Sequence, residues 1–201
     1  MIVLVSGATA DVPHMPMVIG RLYEPRGRNA FADDGRPWAI DNAAFSGFDE
    51  GAFWALLGRL HDHRQSCLFV AAPDVVGKAA ETLALFSRWS PIIRRMGYPV
   101  ALVGQDGLTM GAVPWHDLDA VFVGGTTEWK LSQTAMSLCA YGRALGKWVH
   151  MGRVNSLRRL KQAARFGCQS VDGSGWSKWP ATRLPMAVEW IDMIARQGCL
   201  L

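Results

Sequence analysis

The sequence lacks any long apolar run, has few charged residues and contains no low-complexity segment. Its apolar runs fall well short of the roughly 18–20 residues of a membrane helix, and the N-terminal "MIVLVSG" lacks the basic start of a signal peptide. Half of the 201 residues are apolar and 19% are charged, which excludes a disordered chain. We therefore expect one globular domain over residues 1–201, located in the cytoplasm and with no membrane contact.

Metal-binding patterns are also missing. The four cysteines are widely spaced, no CxxC occurs, and no Cys/His cluster has the spacing of a zinc site. We expect Cys67, Cys139, Cys168 and Cys199 to be buried as small apolar side chains. The sequence predicts no metal and no other cofactor.

Phosphate-binding loops are absent as well, although the chain is basic. Neither GxGxxG nor GK[ST] is found, and "GATADV" after the first apolar run does not match either motif. The net charge is +4, and arginine outnumbers lysine by 16 to 5. Arginine favours planar, bidentate contacts to phosphate, so this balance is compatible with nucleic-acid binding without proving it.

Short apolar runs alternate with longer amphipathic stretches along the whole chain. The runs do not alternate in polarity, which is typical of parallel strands buried on both faces. The predicted strands are residues 2–7, 37–42, 67–74, 99–106, 120–125, 147–152 and 169–173. The predicted helices are residues 48–64, 78–97, 132–146, 156–167 and 180–197.

This βα repeat predicts a small (β/α)8 TIM barrel, with an open doubly wound sheet as the alternative. The eighth strand is not obvious. Either it lies within residues 14–24, "HMPMVIGRLYE", or the barrel has incomplete or irregular strands.

Polar residues follow the predicted strands, where a barrel gathers its chemistry. The residues at these strand ends are Asp41, Asn42, Asp74, Gln105, Asp106, Gly124 and Gly125 with Glu128, His150 to Arg153, and Asp172. A single Asp in such a place is often only a turn or a helix cap, but a series of strand ends favours a functional mouth. Two carboxylates could supply a nucleophile and a general acid in glycosyl transfer. An Asp, a Gln and a Gly-Gly turn could bind the hydrogen-bonding edge of guanine.

These strand-end segments resemble those of the tRNA-guanine transglycosylases, and more closely those of the bacteriophage relatives that insert 7-deazaguanines into DNA. The similarity covers about residues 37–175. It rests on "AIDNAAF" (39–45), "APDVVG" (72–77), "VGQDG" (103–107), "VGGTTEWK" (123–130), "VHMGRVNS" (149–156) and "CQSVDGS" (168–174), in the family's order.

The resemblance implies exchange of guanine for a 7-deazaguanine, such as 7-cyano-7-deazaguanine, through a covalent glycosyl-enzyme intermediate. Asp172 would be the nucleophile and Asp41 the general acid/base. Phe45 and Met151 would hold the base between them. Glu128 would brace the loop that contains Gly124 and Gly125. The implied substrate-binding residues are Phe45, Asp74, Gln105, Gly124, Gly125, Thr126, Met151 and Gly152.

The chain also departs from the family. It has no C-x-C-x-x-C…His zinc cluster, and Ser46 stands where the family has a glutamine. These departures favour a phage DNA enzyme without a zinc-binding subdomain, acting in the infected bacterial cell. Its partners would be DNA and the free 7-deazaguanine base.

Arg153, Arg158 and Arg159 are then candidates for phosphate contacts, and the glycines at 173 and 175 would leave room for the sugar. Three alternatives stay open: tRNA as the polymer, a base-excising N-glycosidase or nucleoside hydrolase on the same barrel, and a binding module without activity.

Overall fold

The computed structural model describes residues 1–7, 12–27 and 31–198. Eight strands follow one another: β1 Ile2–Ser6, β2 Ile19–Tyr23, β3 Trp38–Ile40, β4 Cys67–Ala71, β5 Val100–Gly104, β6 Ala120–Val123, β7 Trp148–Met151 and β8 Ser170–Asp172. Each pairs in parallel with the next, and β8 pairs with β1, so the sheet is a closed barrel. The predicted (β/α)8 barrel is confirmed, and the open-sheet alternative is wrong.

The eighth strand is β2, and it lies within residues 14–24. Arg21 interrupts its apolar run, which is why the sequence pattern is weak. The Arg21 guanidinium pairs with the Asp34 carboxylate at 2.6 Å. A Cβ on Gly20 would lie 2.4 Å from the Pro37 carbonyl oxygen, so only glycine permits this close approach of β2 to the chain entering β3.

The helices form the outer layer of the barrel. They are α1 Glu50–Arg59, α2 Ala79–Arg95, α3 Thr127–Lys130, α4 Gln133–Ala144, α5 Leu157–Arg165, α6 Ser174–Lys178 and α7 Pro180–Arg196. All five predicted helices are present, although the first ends early at Arg59 and a 3₁₀ helix follows over His61–Ser66. The irregularity of this barrel lies largely in its connections: the described part of the β1–β2 link and the β5–β6 link carry only the short 3₁₀ helices Val12–His14 and Met110–Ala112.

Two apolar cores alternate along the strands because successive side chains point to opposite faces. One fills the barrel and contains Leu4, Leu22, Ala39, Phe69, Ala71, Ala101, Val103, Ala120 and Phe122. The other lies between strands and helices. The phase of each strand therefore decides which of its last residues reaches the mouth of the barrel.

Three of the four cysteines are buried and free, as expected: Cys67, Cys139 and Cys168. Cys199 lies outside the described residues. Across residues 1–7, 12–27 and 31–198, none of the helices has the length and apolar character that a membrane crossing requires.

Candidate active site

A pocket opens at the carboxyl ends of the strands. Its volume of about 500 Å³ includes solvent space at its open mouth. Most of the predicted site residues line it: Asp41, Phe45, Asp74, Gln105, Gly124, Gly125, Gly152, Arg153 and Asp172. The apolar side chains of Val103 and Phe122 also line it. The sequence therefore located the pocket and much of its wall.

Asp172 is the last residue of β8, and both of its carboxylate oxygens accept hydrogen bonds. The backbone N–H of Arg153 donates to Oδ1 at 3.0 Å, and Nε2 of His150 lies 2.9 Å from Oδ2. Its side chain is 14% exposed. Asp172 is thus fixed in orientation and still accessible from the pocket.

His150 belongs to a buried polar chain inside the barrel. Trp148 Nε1 donates to Ser170 Oγ at 2.8 Å, and Ser170 Oγ lies 2.8 Å from His150 Nδ1. Because an indole N–H can only donate, the Ser170 hydroxyl accepts from Trp148 and is free to donate its own hydrogen to Nδ1. The neutral imidazole then carries its hydrogen on Nε2, facing Asp172.

Asp41 follows β3 and lies on the same pocket wall as Asn42. Its Oδ1 accepts the N–H of Ala43 at 3.1 Å. Burial and the nearby negative charge of Asp172 raise the pKa of Asp41 to about 7, against the opposing hydrogen bond from Ala43. A carboxyl group with this pKa can both hold and release a proton near neutral pH.

Asp74 is held by two amides. Asn42 Nδ2 donates to its Oδ1 at 2.8 Å, and Gln105 Nε2 donates to its Oδ2 at 2.6 Å. Gln105 is itself fixed, since its Oε1 accepts the N–H of Gly77 at 2.8 Å. Burial raises the pKa of Asp74, while these two amides act to lower it. Each carboxylate oxygen keeps a second lone pair for a ligand. Contact of Gln105 with a base stays a prediction.

The loop after β6 is braced by Asp106. Thr126 donates to it twice, from its backbone N–H at 2.8 Å and from its hydroxyl at 2.5 Å. Thr126 also caps α3 and does not line the pocket. No hydrogen bond in the described part of the chain gives this role to Glu128, so assigning the brace to Glu128 was wrong. Gly125 has φ +70°, and a Cβ there would lie 2.7 Å from Asp106, which explains why glycine occupies the turn.

Met151 does not reach the pocket. The strand phase turns His150 into the barrel and Met151 outward, where its side chain is 2% exposed and packs in the outer core. It lines a small neighbouring cavity instead. Its predicted place in a base sandwich is wrong for this structure. Phe45 does line the pocket, and it is 71% exposed. The Arg153 guanidinium carbon lies 4.9 Å from the centre of the Phe45 ring.

The three predicted arginines differ in position. Arg153 donates to the Gly125 carbonyl at 2.5 Å and has φ +59°. Arg159 lies behind it and donates to the Arg153 carbonyl at 3.2 Å and to the Thr127 hydroxyl at 3.0 Å. Arg158 is exposed on α5. Arg153 is therefore the one of the three at the pocket itself.

The glycines at 173 and 175 do not leave room for a sugar. A Cβ on Gly173 would lie 2.5 Å from both the Asn155 side-chain oxygen and the Val154 carbonyl. A Cβ on Gly175 would lie 3.0 Å from the same Asn155 oxygen, which accepts the Gly175 N–H. These glycines allow the loop after β7, which contains Val154 and Asn155, to pack closely against the chain that follows β8.

Two further groups were not found from the sequence. Lys130 is only 4% exposed although it lines the pocket. Burial and the neighbouring Arg153 lower its pKa to about 8. Glu24 follows β2, and burial and the Asp172 charge raise its pKa, opposed by a hydrogen bond from Ser6. Glu24 directly follows β2, so it would be a candidate site residue in any sequence analysis that recognises this strand. Lys130 ends a short helix that the sequence pattern does not predict.

Comparisons with known proteins assign the chain to no family. No protein-family model and no curated protein sequence matches the chain. Among solved structures, the chain is similar to "PaMucR Phosphodiesterase, c-di-GMP complex", with 14% identity and a TM-score of 0.41. The match covers 70% of this chain and 60% of that one.

Proposed function

We propose that the protein exchanges guanine for a 7-deazaguanine in DNA through a covalent intermediate on Asp172. The observation that carries the proposal is the pairing of two different carboxyl groups at one pocket. Asp172 has an N–H donor on each oxygen, whereas Asp41 has a pKa of about 7. Such a division suits a nucleophile and a proton carrier.

In the first half-reaction an oxygen of Asp172 attacks C1′ of the nucleotide and the C1′–N9 bond breaks. The electron pair of that bond goes to the guanine ring, and the proton of Asp41 converts it to neutral guanine. The product is a glycosyl ester of Asp172 and an ionised Asp41.

In the second half-reaction Asp41 takes the N9 proton of a 7-deazaguanine. N9 then attacks C1′, and the ester bond to Asp172 breaks. Both carboxyl groups return to their starting state, and two successive displacements retain the configuration at C1′. No other reactant is consumed.

The pocket wall that carries Asp74 supports guanine as the base. Guanine presents N1–H and an exocyclic amine side by side, and both can donate to one carboxylate. Asp74 is held in a fixed orientation by Asn42 and Gln105, which favours such a paired contact. Phe45 offers a ring for stacking at the mouth.

The polymer is proposed to be DNA in the cytoplasm of a phage-infected bacterium. A nucleotide within a duplex has to be flipped out to reach a pocket at the mouth of a barrel. The arginines at 153 and 159 lie next to that mouth, and the chain carries a net charge of +4, which suits a phosphate backbone.

The test uses DNA with labelled guanine, and tRNA in parallel, with and without 7-cyano-7-deazaguanine. We expect release of guanine from DNA to require the added base, and mass spectrometry to find a glycosyl adduct on the native protein. Asp172→Asn should abolish both. The control is Asp62→Asn, an exposed aspartate in the 3₁₀ helix that precedes β4, at the other end of the barrel.

Three results would contradict the proposal in different ways. Guanine release and abasic sites without added base would identify an excising enzyme. Exchange confined to tRNA would show that DNA is not the polymer substrate. Full exchange by Asp172→Asn would remove the covalent mechanism.

A further inference from the structure

Lys130 is a buried cation with unused donors. An ammonium carries three N–H groups. Among the residues that the structure describes, the Nζ of Lys130 has one hydrogen-bond acceptor, the Gly152 carbonyl at 2.8 Å. A buried ammonium is costly unless its donors are satisfied. Since Lys130 lines the pocket, a ligand there is the natural acceptor for the others.

The pocket is polarised by these side chains. Its β6–β7 wall carries Lys130 and Arg153, and its β3–β4 wall carries Asp41 and Asp74. With a pKa of about 8, Lys130 is mostly charged at neutral pH. A positively charged group placed against the β6–β7 wall would therefore be repelled.

The order of the strands predicts which edge of a base meets this wall. This step rests on the function proposed above, in which N1–H and the exocyclic amine face Asp74 after β4 and N9 lies near Asp172 on β8. On a 7-deazaguanine, O6 and then C7 lie between N1 and N9. Around the barrel, β5, β6 and β7 lie between β4 and β8 in the same order.

The reverse orientation of the base is disfavoured. It would turn O6, which only accepts hydrogen bonds, toward the β1–β3 side, where Glu24 and Asp41 lie. The donors are on the other side, in the Gln105 amide and the Lys130 ammonium. The C7 substituent is thereby directed to Lys130.

We propose that Lys130 contacts the C7 substituent of the incoming base and selects bases with an uncharged hydrogen-bond acceptor there, such as a 7-cyano group, over a 7-aminomethyl cation. The nitrile nitrogen accepts from the ammonium. The aminomethyl ammonium offers no acceptor and meets a like charge. Lys130 is thus the specificity-determining residue of the site.

The experiment compares three free bases on the same guanine-containing DNA: labelled guanine, 7-cyano-7-deazaguanine and 7-aminomethyl-7-deazaguanine. Labelled guanine reports the exchange reaction with no C7 substituent. We expect the native protein to favour the cyano base by about tenfold or more in kcat/KM. Lys130→Met should lose most of this preference, and Lys130→Glu should reverse it.

Lys147→Glu is the matched control. Its Nζ also donates to a backbone carbonyl, that of Leu118 at 2.8 Å, but it precedes β7 at the other end of the barrel. Its cyano preference should equal that of the native protein. Circular dichroism shows whether each variant is folded. The base preference of the native protein tests the proposal even if a variant does not fold.

The outcomes separate the two proposals. If guanine exchanges but the native protein prefers the aminomethyl base, or Lys130→Met keeps the native preference, the role of Lys130 is overturned and base exchange stands. If none of the three bases is incorporated, base exchange is overturned and the role of Lys130 with it.

Discussion

Nε2 of His150 lies 2.9 Å from Oδ2 of Asp172, inside a barrel whose interior is otherwise largely apolar. The imidazole is fully buried, and the Trp148–Ser170 hydrogen bond leaves its hydrogen on the nitrogen that faces the carboxylate. Asp172 therefore depends on three side chains from β7 and β8 for its orientation. In the proposed mechanism, His150 is a positioning residue rather than a catalytic one.

Replacing His150 should slow the formation of the glycosyl ester much more than it weakens substrate binding. We expect His150→Leu to lower the single-turnover rate by about 10²-fold, the usual effect of a nucleophile displaced by about 1 Å, with little change in KM. His150→Gln should recover part of the rate, since its amide N–H can reach Asp172. Equal rates for the Leu and Gln variants would argue against orientation by a hydrogen bond.

The two half-reactions should depend on pH in opposite directions. In the proposed mechanism Asp41 is protonated when guanine leaves and ionised when the new base is deprotonated, and its pKa is about 7. Above pH 7 we expect ester formation to fall about tenfold per pH unit, while capture of the incoming base reaches a plateau. Rapid-quench measurements of each step provide the check. In Asp41→Asn we expect both half-reactions to be slow and their rates to be independent of pH. A pH dependence that persists in this variant would assign the proton to another group.

The ionised form of Asp41 should also lower the free energy of unfolding at neutral pH. Its folded pKa of about 7 lies above the ordinary aspartate value of 3.8, so the stability linked to its protonation is present below about pH 4 and is lost as the pH rises to 7. Asp41→Asn can still accept the Ala43 N–H. We expect its melting temperature to exceed that of the native chain increasingly from pH 4 to 7, with a constant difference above, corresponding to at most a few kcal/mol. A difference that is constant from pH 4 to 9 would contradict the raised pKa.

Arg153 should contribute to DNA affinity through phosphate. Its guanidinium lies at the mouth over Phe45. Arg153→Ala should reduce the slope of log K against log salt by about 0.7–0.9, the effect of one lost phosphate contact. Arg158→Ala tests the exposed arginine of α5 in the same way. Arg95→Ala, an exposed residue in the last turn of α2 at the other end of the barrel, is the control and should leave the slope unchanged.

The preference attributed to Lys130 should weaken in alkaline solution. Its pKa of about 8 reflects burial and the charges of Arg153 and Arg159, opposed by Asp172 and Asp106. It loses its charge as the pH rises from 7 to 9, whereas an alkylammonium on the base stays charged up to about pH 10. We expect the ratio of cyano to aminomethyl incorporation to fall over this range, normalised to guanine exchange at each pH. A ratio independent of pH would point to shape rather than charge.

The fold could be predicted largely from the sequence, because buried parallel strands and amphipathic helices leave strong local patterns. The exception was β2. Arg21 in its centre looks incompatible with a buried strand until Asp34, from a distant loop, pairs with it. Such a pairing is a tertiary contact, and no local pattern contains it.

The sequence predicted where the site lies, but it did not predict which side chains of a strand point into the barrel. "VHM" is apolar on both sides of its histidine, so the sequence gives no sign that His150 turns inward and Met151 outward. The roles of Asn42 and Gln105 as supports of Asp74 likewise depend on the side-by-side arrangement of β3, β4 and β5. The buried position of Lys130 depends on how α3 packs after β6, and a helix of only four residues leaves no periodic pattern in the sequence.

The strand that carries Asp172 is also the strand that closes the barrel. β8 is only three residues long and pairs with β1, where Leu4 lies opposite Asp172. These partners are separated by almost the whole chain, which makes their contact among the last to become favourable during folding. The proposed nucleophile, Asp172, therefore acquires its surroundings only in a completed barrel. On the proposed mechanism, partly folded chains should exchange no base, and the appearance of base exchange after dilution from denaturant should follow the rate of barrel closure.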